Sequence, residues 1–248
     1  MTTIETIFTT NNGQIVNVIQ FKDSANSKIG NGLVIQTYHF SIEQVINNNL
    51  HLDAKNCLDC PLSHSSGHRL GVCYTHKGMQ LFGLKSMLKK LHRLNGKGLI
   101  CEFSNTTLNA FISRVQSTIN KKGQFIKLVR FGAYGEPIFL GEQIISKLAK
   151  LGKNITGYTH QYNKNEYNWA NKFFMASTHS HKDMAIATNR SFRQFNVLLK
   201  NDTIVNSVNC PSSKEFELLK GKKVSCINCS LCSGNYKSIK KNVHILAH

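Results

Sequence analysis

Three cysteines near the C-terminus stand at a spacing that lets their sulfurs surround one inorganic centre. Cys226, Cys229 and Cys232 are separated by two residues each, and consecutive steps of this length are typical of cluster-binding segments. Cys210, which Pro211 follows, would supply a fourth thiolate, as the distant Cys-Pro does in ferredoxin-type sequences. The spacing favours a 4Fe-4S cluster as the cofactor.

Zinc is the alternative occupant of the same cysteines. A zinc ion accepts four thiolates, or three thiolates and one imidazole. The fourth ligand would then be Cys210, His244 or His248. We regard three buried cysteines without a ligand as the weakest reading, because neighbouring reduced thiols oxidise readily.

A second cysteine group lies nearer the N-terminus. Cys57 and Cys60 are separated by two residues, and Cys73 follows after a loop. Three thiolates with an imidazole or a substrate fit a zinc or cluster centre. An open fourth position would make the centre catalytic, whereas a closed one would make it a structural zinc site. The histidines beside this group are His64, His68 and His76.

Ionisable residues follow several apolar segments that have the character of strands. Glu136, His160 and His179 each stand just beyond such a segment. Functional residues of parallel α/β proteins collect at the carboxyl ends of strands. We therefore predict that these three residues are catalytic, with Glu136 as a general base or an amine-binding group. For Glu136 the alternative role is structural, because the helix dipole favours a carboxylate at the N-terminus of a helix.

Arginines and aromatic residues of the same region suit an anionic, base-containing substrate. Arginine binds phosphate through two hydrogen bonds, and tyrosine can stack on bases. Cys101 stands alone in an apolar segment and is predicted to be a core residue. The predicted substrate-binding residues are Arg130, Tyr134, Tyr158, Arg190 and Arg193.

Apolar segments and helical patterns alternate along the chain. The spacing predicts helices over residues 106–120 and 138–151, and this alternation predicts an α/β fold with a parallel sheet. About eight strands suit a (β/α) barrel, complete or distorted, and a doubly wound open sheet is the alternative. We expect residues 1–248 to form one α/β domain, with a cysteine-rich insertion near 57–76 and a cysteine-rich segment at 210–248. The predicted strands are 15–20, 33–40, 98–103, 125–131, 154–160, 173–177, 194–199 and 243–247.

The composition indicates a folded protein with an anionic partner. Lys and Arg number 31 against 13 Asp and Glu, a formal net charge of +18. Such an excess attracts nucleic acid or nucleotides, although a compositional bias of the genome would also produce it. The sequence lacks a long apolar segment and a signal peptide, so we expect a cytoplasmic protein without membrane attachment. It also lacks the motifs of P-loop, dinucleotide-binding and serine-esterase proteins.

The cysteine spacing differs from the C-x3-C-x2-C motif of radical SAM enzymes, which weakens that reading, although Gly135-Glu136-Pro137 is similar to a short segment of those barrels. The chain as a whole resembles uncharacterised phage-encoded proteins related to gene product 88. The resemblance covers most of the chain from Cys57 onward. It departs from the family's pattern at His179, where members usually carry aspartate. The matching segments are 57–61, 73–74, 129–137, 156–161, 175–177, 210–212 and the final cysteines with the terminal histidine.

This resemblance implies a viral protein, located in the host cytoplasm. Three functions stay open at this point. The first is a metal- or cluster-dependent enzyme acting on nucleic acid or nucleotides. The second is a nucleic-acid-binding protein with structural zinc sites and no catalysis. The third is a zinc-containing base-exchange enzyme of the transglycosylase kind, which ranks last because its aspartate nucleophile has no clear counterpart.

Overall fold

The computed structural model describes residues 2–67, 73–198, 206–236 and 241–246. His68 and His248, two of the predicted ligand candidates, lie outside these ranges. The strands are β1 (Thr2–Asn11), β2 (Ile15–Asn26), β3 (Gly30–Ser41), β4 (Cys101–Glu102), β5 (Ile126–Tyr134), β6 (Gly152–Thr156), β7 (Tyr158–Thr159), β8 (Met175–Thr178), β9 (Gln194–Leu198), β10 (Ser207–Asn209) and β11 (Asn242–Leu246). The α-helices are α1 (Ile42–Asn47), α2 (Ala54–Cys57), α3 (Gly78–Gly96), α4 (Asn105–Lys122), α5 (Gly141–Ala149), α6 (His181–Asn189) and α7 (Lys214–Lys220).

The first three strands form an antiparallel meander. β2 pairs antiparallel with both β1 and β3. The segments at 15–20 and 33–40, predicted as strands of a parallel sheet, are therefore antiparallel to each other, and the prediction is wrong for this pair. The connections on either side of β2 are too short for a crossover, which needs a dozen or more residues. At the first turn Asn12 and Gly13 take φ angles of 51° and 63°, which these two residue types tolerate best.

The remaining described strand pairs are all parallel, including the pairs that join β1 to β4 and β3 to β5. One sheet has the order β4-β1-β2-β3-β5-β6 and the other β10-β11-β9-β8-β7. Within them β3, β5 and β6 run parallel, as do β7, β8, β9, β11 and β10. The α/β class with parallel strands is confirmed, while closure into a barrel stays a prediction.

Gly157 separates β6 from β7, so one extended segment contributes an edge to each sheet. A Cβ atom at this position would lie 2.6 Å from Cδ1 of Phe174. The ring therefore occupies the space that a side chain would need, and only glycine lets the segment pass so close to β8. Gly157 consequently joins an edge strand of one sheet to an edge strand of the other.

The largest part of the core lies between the first sheet and helices α4 and α5. Helix α4 begins after Ser104, whose side chain accepts a hydrogen bond from the Thr107 amide, and ends at Gly123 with φ 58°. These are the capping residues that helices prefer. The predicted helix at 106–120 is thus confirmed, and its buried residues are Leu108, Phe111, Val115 and Ile119.

The second predicted helix begins later than expected. Pro137–Leu140 forms a 3-10 turn, and the α-helix covers only Gly141–Ala149. Strand β6 follows closely, beginning at Gly152. Across the described ranges, none of the helices combines the length and apolarity that crossing a membrane would require.

Candidate functional site

Glu136 is buried at the carboxyl end of β5. Gly135 precedes it with φ 73°, and a Cβ atom on Gly135 would lie 2.5 Å from the carbonyl oxygen of His39. The amide of Glu136 donates to the carbonyl of Asn56 at 2.8 Å. Glycine before Glu136 thus lets the strand end pack against the segment that carries Cys57.

The carboxylate of Glu136 accepts three hydrogen bonds. Its Oε2 accepts from Thr159 Oγ1 at 2.7 Å, and its Oε1 accepts from the His160 amide at 2.9 Å. Oε1 also contacts His160 Nδ1 at 2.8 Å. A buried carboxylate that binds both the backbone and the ring of His160 fixes the orientation of the imidazole.

His160 and His179 form a stacked pair. Their Nε2 atoms are 3.1 Å apart, and their rings lie 5.3 Å apart at an angle of 6°. Burial lowers the pKa of His160, but the sulfur of Cys60 and the carboxylate of Glu136 outweigh it and hold this pKa well above the ordinary value. Burial, followed by the charge of His160, lowers the pKa of His179 to about 3. His160 therefore donates to a neutral His179.

The three N-terminal cysteines gather beside this pair. Cys57 ends α2, and the amide of Cys60 donates to the carbonyl of Cys57 at 3.1 Å. Cys60 lies close enough to His160 to raise the pKa of its imidazole. Burial raises the pKa of Cys73, which the nearby Cys60 raises further, and its sulfur lies 3.0 Å from Thr75 Oγ1.

The C-terminal cysteines form a second group. Burial raises the pKa of Cys232, and the sulfurs of Cys210, Cys229 and Cys226 add to this effect. Each of these four is a free thiol. The sulfur of Cys210 thus lies near those of the three later cysteines, and their role as metal ligands stays a prediction.

Backbone hydrogen bonds attach this second group to both sheets. The amide of Cys226 donates to the carbonyl of Lys28 at 2.9 Å, and the Gly157 amide donates to the carbonyl of Cys232 at 3.2 Å. The amide of Cys210 donates to the carbonyl of His244 at 2.9 Å. The His244 ring contacts Ser207 Oγ through Nδ1 at 2.6 Å, so that nitrogen is engaged by a hydroxyl.

Among the described residues, neither cysteine group has the side-chain geometry of a metal-binding site. Among the residues that the structure describes, no three His, Cys, Asp or Glu side chains are arranged so that they could hold a metal ion. The thiols approach closely enough to influence one another's pKa without converging on one point. The cysteines are also set among helices, turns and strand ends, and not in separate cysteine-rich loops.

The predicted substrate-binding residues are not gathered at one place. Tyr134 is buried, and its hydroxyl accepts a hydrogen bond from Gln44 Nε2 at 2.7 Å. Tyr158 lies close enough to Cys232 to lower the pKa of its thiol. Arg190 donates to Asn168 Oδ1 at 3.0 Å.

The structure also shows where Arg193 and Cys101 lie. Arg193 is buried and donates to the backbone carbonyls of Gly234 and Lys241, which fastens the C-terminal segment. Cys101 is exposed in β4, so its prediction as a core residue is wrong. It belongs to a two-residue strand at the edge of the sheet, where no second layer covers it.

Sequence reasoning missed two polar residues that hold the site together. Asp53 is buried, and its carboxylate accepts from the amides of His64 and Ser65 at 2.8 Å each. Thr159 binds Glu136, as described above. Their signal was weak, since a short polar residue beside an apolar segment is common at strand and helix ends.

The chain matches no protein-family model, and comparisons with curated proteins and with solved structures also found no match. The resemblance to the phage-encoded family stays a prediction.

Proposed function

We propose that this chain is a metal-dependent enzyme acting on a nucleotide or nucleic acid, with its centre formed by Cys57, Cys60, Cys73 and His160. The observation that carries the proposal is the closeness of Cys60 to His160, near enough to raise the pKa of an imidazole that the buried carboxylate of Glu136 already orients. A carboxylate behind a ligand histidine is the usual outer partner in metal sites. The cofactor is a 4Fe-4S cluster, with zinc as the alternative.

The donor set suits either cofactor. Three thiolates and one imidazole are accepted ligands of zinc, and clustered thiolates bind iron-sulfur centres. Glu136 would hold the proton on Nδ1 of His160 and leave Nε2 as the ligand atom. His179 Nε2, 3.1 Å away, is a further candidate donor. A metal centre in this position supplies Lewis-acid or electron-transfer chemistry.

The C-terminal cysteines are proposed to hold a second, structural centre. This group lies between the turn that connects β2 to β3 and the segment that connects the two sheets. Its cysteines are Cys210, Cys226, Cys229 and Cys232. Cross-linking these parts through one ion would stabilise the junction at Gly157. We also propose that this junction continues the parallel strands into an incomplete barrel.

Metal analysis of protein purified without oxygen tests the proposal. We expect iron and sulfide with a brown colour, or zinc in a colourless protein. Cys60→Ser should lower the metal content, whereas Cys101→Ser, which changes an exposed cysteine, should not. A wild-type protein free of metal, or equal metal contents in both variants, would refute the proposal.

A second measurement separates the enzyme from a nucleic-acid-binding protein with structural zinc. The net charge of +18 suits either function, because cation–phosphate contacts dominate non-specific binding. Glu136→Gln should abolish turnover in the enzyme and leave oligonucleotide binding intact. If the wild type shows salt-dependent binding but no turnover of any nucleotide substrate, the non-catalytic function is the better account.

A further inference from the structure

A basic cavity of about 560 Å³ lies between the meander and helix α3. Its volume falls in the range of small-molecule sites, roughly 300–1,000 Å³. None of the described residues that line it is Asp or Glu. The cationic residues that line it are Lys22, Lys90, Arg93 and Arg130.

Lys22 is the least accessible of these cations. It is 4% exposed, its Nζ donates to Tyr38 Oη at 3.0 Å, and it lies 5.6 Å from the centre of the Tyr38 ring. Burial, followed by the charge of Arg130, lowers the pKa of Lys22 to about 8. A buried ammonium without a carboxylate partner is costly, and an anion would offset that cost.

The hydrogen bonds around Lys22 leave donors without acceptors. Lys22 donates to Tyr38, and the Tyr38 hydroxyl donates to Gln36 Oε1 at 2.6 Å. Gln36 Nε2 is buried and has no hydrogen-bond partner among the described residues. Lys22 has further N–H groups to donate, and Gln36 has its amide N–H groups. Lys22 and Gln36 thus offer N–H groups that lack an acceptor among the described residues.

We infer that this cavity binds the phosphate group of a nucleotide-sized ligand, with Lys22 and Gln36 as donors to the phosphate oxygens. Phosphate supplies a negative charge, which none of the described lining residues carries, and several acceptor oxygens for these N–H groups. The inference does not depend on a bound metal.

The cavity also borders the N-terminal cysteine group. Thr75 lines the cavity, and its Oγ1 lies 3.0 Å from the sulfur of Cys73. Lys22 and Thr75 thus line the same cavity. The substrate of the proposed enzyme could bind in this position.

Calorimetric titration with each of the four ribonucleoside monophosphates, their uncharged nucleosides and inorganic phosphate tests the inference. We expect at least one monophosphate to bind, and its nucleoside to bind far more weakly. Lys22→Met keeps the apolar stem and should raise the Kd about ten-fold or more. Lys147→Met changes an exposed lysine bonded to Asn105 and should leave the Kd unchanged. Inorganic phosphate should compete only in proteins that retain Lys22.

Three outcomes would overturn the inference. They are the absence of binding by every monophosphate, equal binding of nucleoside and monophosphate, and equal Kd values for wild type and Lys22→Met. Binding of a single-stranded oligonucleotide that depends on Lys22, without binding of any monophosphate, would also overturn it. Thermal unfolding of Lys22→Met at or above the wild-type midpoint excludes misfolding as the cause of lost binding.

Discussion

Replacing Lys22 by methionine should change how the stability of the protein depends on pH. The pKa of Lys22 falls from 10.5 to about 8 on folding. Between these values the unfolded chain holds a proton that the folded protein has released, so the free energy of unfolding rises with pH. The free-energy cost of burying the Lys22 ammonium is fully present below pH 8 and disappears above pH 10.5. It amounts to about 3 kcal/mol, at about 1.4 kcal/mol for each pKa unit.

Urea unfolding at about pH 7 and about pH 9.5 measures this effect, with roughly 2 kcal/mol of the total expected over that interval. The single tryptophan, Trp169, reports unfolding by its fluorescence. Relative to Lys22→Met, the wild type should gain about 2 kcal/mol as the pH rises. Other titrating groups are common to both proteins, so their contributions cancel in the difference. The buffer must be free of phosphate.

Two results would refute this reasoning. A wild-type minus Lys22→Met difference that is constant with pH would mean that Lys22 titrates normally in the folded protein. A difference of opposite sign would mean that a carboxylate or another anion stabilises the ammonium. Lys147→Met serves as the matched control and should show no pH-dependent difference from the wild type.

Three further substitutions test the site and the fold. Glu136→Gln should weaken zinc affinity about ten-fold or more in chelator competition, whereas the exposed Glu142→Gln should not. Phe111→Ala should lower the free energy of unfolding by about 3–5 kcal/mol in urea, because a fully buried ring leaves a cavity. Gly234→Ala should lower the thermal midpoint, since its Cβ would lie 2.5 Å from the Phe174 amide nitrogen. Gly13→Ala meets no atom within 4 Å and should cost less; equal losses would contradict the argument.

Local features of the fold could be predicted from the sequence, whereas strand partners could not. The spacing of Leu108, Phe111 and Val115 is sufficient to identify a helix face, because that pattern depends only on neighbouring residues. β1 was missed because its many threonines gave no clear apolar segment. The direction of β2 depends on the lengths of its turns and on long-range pairing, which periodicity does not encode.

The candidate site was predictable to a similar extent. Cysteine spacing indicated both groups, and the strand-end rule indicated Glu136 and His160. Their direct contact could not be read from the sequence, because it depends on the adjacent positions of β5 and β7 in space. Lys22 was missed altogether, since a lysine in a strand ordinarily faces solvent and only the folded cavity shows it to be buried.

Tyr158 and Thr159 show how closely the two sulfur-containing regions depend on one dipeptide. Successive residues of a strand point to opposite sides, and here Tyr158 reaches Cys232 while Thr159 reaches Glu136. Inserting a single residue between Gly152 and Tyr158 would exchange these directions. Both regions would then lose their contact with this dipeptide together, although Cys57 and Cys226 lie far apart in the chain. A substitution that displaces this dipeptide from one sulfur-containing region should therefore also perturb the other region.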